Sequence, residues 1–196
     1  MYLSRQVERS AGPGAPLLRV RSRRYPEAMA TGTLVSLEEY LSTSYRPDCD
    51  YVDGVVLERN LGEQDHSRLQ MALAAFLFDR ERQWAIHVFP EQRVQVSRTR
   101  FRVPDICVVC GPRPAEQIFT KPPFICIEIL SKDDTMTQMQ ERIDDYVNFG
   151  VAHVWLIDPR TRRAYDFTGE GMREAKDGVL RAHTPDIAVP LAEIFD

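Results

Sequence analysis

In "HSRLQMALAAFLFDRERQW", residues 66–84, apolar side chains at Leu69, Leu73, Phe76 and Leu77 recur at helical spacing. The spacing predicts a long amphipathic helix packed against a sheet. A second stripe through Met136, Met139, Ile143, Tyr146 and Val147 stops at Gly150, predicting a helix from Thr135 to Phe149 with this stripe buried. Elsewhere the period is two. "DYVDGVVLER" alternates on both sides of an Asp-Gly pair, the pattern of a strand, a tight turn and a strand. "AIHVFPEQRVQV", broken at Pro90, then "FRVPDICVVC" and "FICIEIL" read as further strands. "HVWLIDP" and "RRAYDFTG" form a pair joined across "PRTR", and "PDIAVPLAEIF" comes last. Near the beginning, Ser36 stands three residues before Glu39, the spacing of a capping box, so a short helix opens at "SLEEYL". This order implies an α/β (α+β) domain, a mixed central β-sheet flanked by helices.

A chain of 196 residues holds one domain with a proper core and is too short for two comfortable ones. No apolar run approaches the roughly 20 residues that span a bilayer, so no membrane segment is expected. The four cysteines, without a secretory leader, suggest reduced thiols and a cytoplasmic protein. Cys107 and Cys110 form a CxxC, but both lie in or beside an apolar run and no second pair follows, so buried strand cysteines are favoured over a zinc or redox site. The formal charge of −4 is uneven: residues 1–28 hold six Arg against two Glu, leaving −8 on the rest. Rich in Gly, Pro and Arg and without a period, residues 1–28 read as a disordered basic N-terminal extension, and 29–196 as the domain. "MATGTLVSLEEYL" at Met29 also looks like a natural beginning, as a mis-assigned start codon would leave it.

Two acids interrupt the apolar strands. Asp105 stands at the mouth of "ICVV" and Glu128 in the middle of "FICIEIL", where an unpaired carboxylate is costly to bury. Strand alternation puts Glu128 on one face with Cys126 and Leu130, and Pro104 interrupts ladder bonding just before Asp105. If the two strands are neighbours, both carboxylates converge. They then repel unless a proton or a cation sits between them, and hard oxygen donors suit Mg²⁺ or Mn²⁺. The alternative is that each acid pairs with an Arg or caps a loop.

The succession "DYVDG", "HS" opening a long helix, "VPDICVV", "PPFICIEILS", "YVNFGV" and "HVWLIDP" resembles the bacterial restriction-endonuclease-like family of the PD-(D/E)XK nuclease superfamily, from about Leu34 onward. The resemblance implies a restriction-endonuclease-like core and Mg²⁺-dependent hydrolysis of DNA phosphodiesters. Asp105 and Glu128 would hold the ion, Asp50 would complete its shell through water, and His66 would orient a water or touch phosphate. The lysine expected two residues after the Glu is Leu130 here. Its charge is expected instead from Arg142, gripping a phosphate oxygen, or from Lys132 if the strand extends that far. Gln138 should share with Arg142 a stripe along the edge of the site, within reach of DNA. A body at −8 is a poor non-specific DNA binder, so local patches must serve: Arg98, Arg100 and Arg102 in one hairpin region, or Arg160, Arg162 and Arg163 at a turn. A homodimer is expected, because cutting both strands with one site per chain calls for two copies. The altered lysine keeps a second reading open, a catalytically inactive relative that binds nucleic acid or protein.

Overall fold

The computed structural model describes residues 34–59 and 63–195. The basic extension 1–28 and the alternative start at Met29 lie outside the described residues. Helix α1 (Leu37–Ser42) is capped by Ser36, whose Oγ accepts from the Glu39 N–H at 3.1 Å. Strands β1 (Cys49–Val52) and β2 (Val55–Glu58) form the expected hairpin, with Asp53 and Gly54 at φ of 48° and 93°. Left-handed backbone at both central positions is what an Asp-Gly pair tolerates, and its twist matches that of the strands.

The helix of the first stripe is α2 (Gln64–Asp79), followed by the short α3 (Glu81–Trp84). Strands β3 (Ile86–Pro90) and β4 (Val94–Ser97) end and begin on either side of the Pro90 break. "FRVPDICVVC" is not one strand. Its first residues form β5 (Arg100–Arg102) and its last form β6 (Ile106–Cys110), and the two belong to different sheets. The small sheet runs β2-β1-β5-β4, antiparallel throughout. The large sheet adds β7 (Ile125–Ile129), β8 (His153–Asp158), β9 (Arg163–Thr168) and β10 (Gly171–Glu174) in the order β10-β9-β8-β7-β6-β3. Only β7 and β8 are parallel in it, joined by helix α4 (Met136–Phe149). Pro104 has no N–H for a ladder, so the chain leaves one sheet and enters the other across 103–105, placing Asp105 at the junction.

Both faces of the large sheet are covered. Ile106, Val108, Ile125, Ile127, Ile129, Trp155 and Ile157 face Leu69, Leu73 and Leu77 of α2 and the hairpin β11–β12 (Val179–Ala182 and Ile187–Pro190). Cys107, Cys126, Val154 and Leu156 face Met139, Ile143 and Tyr146 of α4. A third cluster, Tyr40, Tyr45, Cys49, Tyr51 and Phe101, joins α1 to the small sheet. A strand buried on both faces reads as a continuous apolar run, which is why Glu128 stands out in β7. Cys107 and Cys110 sit on opposite faces, as strand alternation requires of residues three apart, and Cys107 lies opposite Cys126 in register. All four cysteines are free. No described helix is long and apolar enough to cross a membrane.

Two expectations need correction. Met136 is 79% exposed, because it is the first residue of α4 and the buried stripe begins a turn's fraction later, at Gln138 and Met139. Strands β10 and β11 were not expected at all: β10 lies on the sheet edge with mostly exposed residues and so carries no apolar alternation.

Helix α4 ends at Gly150, whose φ of 102° only glycine adopts without strain. A Cβ there would meet Pro122 Cγ at an ordinary 3.5 Å, so the penalty is conformational alone. Gly150→Ala should cost about 1–2 kcal/mol in urea denaturation. A neutral result would show that the cap relaxes freely.

Candidate active site

Asp105 is 2% exposed at the junction between the sheets. Its Oδ2 accepts from the Ile129 N–H at 2.7 Å and lies 3.2 Å from His66 Nε2, while its Oδ1 is held by the Arg59 guanidinium. Its carbonyl accepts from Gln70 Nε2 at 3.1 Å and from the Glu91 N–H at 3.0 Å. One residue thereby ties together the end of β2, helix α2, the β3–β4 turn and strand β7. Burial opposes its ionisation, but the hydrogen bond from His66 and the charge of Arg59 hold the carboxyl below the usual range. His66 responds in the opposite sense. Burial disfavours its cation, yet the bond to Asp105 and that carboxylate's charge raise its pKa above the ordinary value.

Glu128 is 1% exposed in β7. Its Oε1 accepts from the Tyr146 hydroxyl at 2.7 Å and its Oε2 from Arg142 Nη1 at 3.3 Å. Tyr146 and Arg142 are four residues apart, so α4 presents both on one face. Burial pushes the Glu128 carboxyl up to about 7, against the pull of Arg142 and with a further push from the charge of Asp105. The charge of Asp105 thus reaches Glu128 from the segment that leads into the neighbouring strand.

Asp50 in β1 completes a chain of alternating charge. Its Oδ1 accepts from the Val103 N–H at 3.0 Å, and its Oδ2 lies 3.0 Å from Arg102 Nη1 and 3.5 Å from Arg142 Nε. Arg102 continues to Asp145 Oδ2 at 2.6 Å, and Arg100 joins Asp145 at 3.0 Å to Asp53 at 2.7 Å near the surface. Burial raises the Asp50 carboxyl, but Arg142, Arg102 and Arg59 outweigh it and leave the pKa below normal.

A small polar cleft opens beside Asp105, lined by Arg59, His66, Asp105, Ile129, Ser131, Asp134 and Arg142. Neither Asp50 nor Glu128 lines it; Arg142, which pairs with both, does. Arg142 is not free along the edge of the site: its side chain is 7% exposed and holds two carboxylates. Gln138 is buried at the start of α4, where its Oε1 accepts from the Thr135 N–H and its own N–H donates to Thr135 Oγ1, both at 3.3 Å. That reciprocal cap occupies the side chain and takes it away from DNA. Lys132 lies outside the cleft, 56% exposed and paired with Glu63, because β7 ends at Ile129 and strand parity no longer aims it inward. Arg102, at 1% exposure, is a core ion-pair residue rather than a DNA contact, and Arg100 is engaged by Asp53 and Asp145. Arg98 is exposed between β4 and β5. Of the second patch, Arg160 pairs with Asp158 at 3.4 Å. Arg59 and the Tyr146 hydroxyl were not foreseen. Nothing around Arg59 in "VVLER" marks it, whereas a Tyr on a buried stripe does need a partner for its hydroxyl.

The model of a family described as "Putative restriction endonuclease", Uma2, matches residues 37–189. The chain belongs to the Uma2 family. The Uma2 match runs from α1 into β12 and takes in every residue of the cleft. The crystal structure of "a putative nuclease belonging to DUF820" from Anabaena variabilis ATCC 29413 superposes with a TM-score of 0.71 at 22% identity, over 82% of this chain and 97% of that one. The Uma2 chain thus has the restriction-endonuclease-like fold expected from its motifs. No curated protein matches it. Among the described residues, no group of three or more His, Cys, Asp or Glu is arranged to hold a metal ion.

Stability should follow the two opposite shifts. With its folded-state pKa raised, Glu128 contributes stability that is complete below its usual 4.5 and is lost as pH rises through about 7. Asp50, depressed, contributes above its usual 3.8 and loses that contribution as pH falls. In chelator, Glu128→Gln should therefore gain on the order of 2 kcal/mol on the parent between about pH 5 and about pH 8 in urea denaturation. Parallel stabilities would contradict the raised carboxyl. Arg142→Ala strands two buried acids and should cost about 3–5 kcal/mol in the same measurement; a loss near zero would mean that water replaces the guanidinium.

Proposed function

We propose that this chain is a deoxyribonuclease that hydrolyses DNA phosphodiesters with a divalent ion, Mg²⁺ or Mn²⁺, held by Asp105 and Glu128. The observation that carries the reading is a pair of buried carboxylates whose charges repel, Asp105 on the cleft wall just before β6 and Glu128 in the neighbouring strand β7, in a chain of the Uma2 family. The donor set offers such an ion hard oxygens, from Asp105 on the cleft wall and from Glu128 in the strand beside it. Two protein carboxylates would leave the rest of a coordination sphere to water and substrate. A bound divalent ion supplies an activated water and charge stabilisation at the phosphoryl oxygens.

The chain's own residues prepare that chemistry. Ile129 N–H and His66 fix one oxygen of Asp105, and Tyr146 and Arg142 aim Glu128. His66, whose pKa the Asp105 carboxylate raises, stands at the cleft wall. Asp50 acts by holding Arg142 rather than by reaching the ion, and Arg142 offsets charge within the site instead of gripping the backbone of DNA. DNA as substrate is supported by the family's description, with the exposed Arg98 available to a phosphate. Two copies would serve the two strands of a duplex, so the working assembly is a homodimer.

A second reading, an inactive relative that binds nucleic acid or protein, is favoured by one observation: Arg59 and Arg142 already neutralise both acids. Calorimetry with Mn²⁺ separates the two. The nuclease reading expects binding that Asp105→Asn and Glu128→Gln each abolish, together with a roughly hundredfold or greater loss of plasmid cleavage. No binding at millimolar Mn²⁺, with an intact fold, would leave the inactive relative.

A further inference from the structure

The cations of the site differ in how firmly they are committed. Arg142 also lines the cleft but is locked by Glu128 on one side and Asp50 on the other. His66 and the Ile129 N–H both engage Asp105 at the same oxygen, Oδ2. That leaves Oδ1, whose partner is the guanidinium of Arg59. Arg59 lines the cleft with its side chain 12% exposed, and its second acid, Glu91, stands at a looser 3.8 Å and is 61% exposed. It is thus a nearly buried cation held on one side by the single oxygen that a metal would take.

We propose that Arg59 is a displaceable cation of this site: without metal it covers Asp105 Oδ1, and when a divalent ion takes that oxygen the guanidinium turns within the cleft to a non-bridging oxygen of the phosphodiester. The inference rests on the nuclease reading above. Its physical basis is competition. A guanidinium and a divalent ion on one carboxylate oxygen repel each other at such range, so the ion's arrival weakens the Arg59 pair. Once released, Arg59 faces an anion it can grip in two-pronged fashion, with five N–H donors in a rigid fork. Positive charge then reaches the substrate from the end of β2, where neither Leu130 nor the exposed Lys132 supplies it.

The test measures metal affinity and cleavage separately on the full chain, with Mn²⁺ as the probe. Arg59→Gln should bind Mn²⁺ at least tenfold more tightly than the parent, about 1.4 kcal/mol, yet cleave plasmid at least tenfold more slowly at saturating Mn²⁺. A purely structural ion pair would weaken both. Equal or weaker Mn²⁺ binding by Arg59→Gln, where the parent binds and Asp105→Asn does not, overturns this proposal and leaves the nuclease reading standing. Failure of the parent to bind overturns both. A measurement on the parent protein guards against a variant that does not fold: the Arg59 guanidinium protons, protected by Asp105, should exchange faster in saturating Mg²⁺. Unchanged exchange would overturn the proposal.

Discussion

Burying a carboxylate without a compensating charge costs more than most domains have to spare, and this protein buries Asp50, Asp105 and Glu128 within one neighbourhood. The surrounding architecture depends on how that cost is met. Arg142 serves Glu128 and Asp50, Arg102 serves Asp50 and Asp145, and Arg59 serves Asp105. The resulting line of alternating charge crosses from strand β7 through α4 to the small sheet, alongside the apolar cluster in which Val94 and Val96 of β4 meet α4 and the large sheet.

Compensation is uneven, and the unevenness is informative. Asp50 and Asp105 lie below the usual carboxylate range, while Glu128 is pushed up to about 7. The raised value at Glu128 comes first from its burial, which outweighs the pull of Arg142 beside it. The same arrangement suits a site that receives a further cation, with Asp105 offering an oxygen that only a displaceable arginine covers.

Helix α4 shows how one element serves both packing and chemistry. Met139 and Ile143 bind it to the sheet, Arg142 and Tyr146 reach Glu128, and Glu141 and Asp145 turn outward to Arg100 and Arg102. A 3.6-residue period separates these tasks into adjacent stripes. Thr135 and Gly150 set its two ends, and so set the phase at which Arg142 meets the acids.

Much of this was legible along the chain because it is local. Apolar periods located α2, α4 and most strands, and the Asp-Gly pair located a hairpin. Asp105 and Glu128 were conspicuous because acids seldom interrupt strands buried on both faces. The partners of those acids were not legible. Arg59, Arg102 and Arg142 look alike as residues, and which carboxylate each one holds, and which of them faces the cleft, is decided by separations of 46, 52 and 14 residues brought to contact. Lys132 was misplaced because strand parity holds only as far as the ladder, and Gln138 because a helix cap competes for the same side chain. Local pattern settles which face a residue occupies; only the folded chain settles which charges share that face, because Coulomb energies depend on distance in space and on exclusion of water.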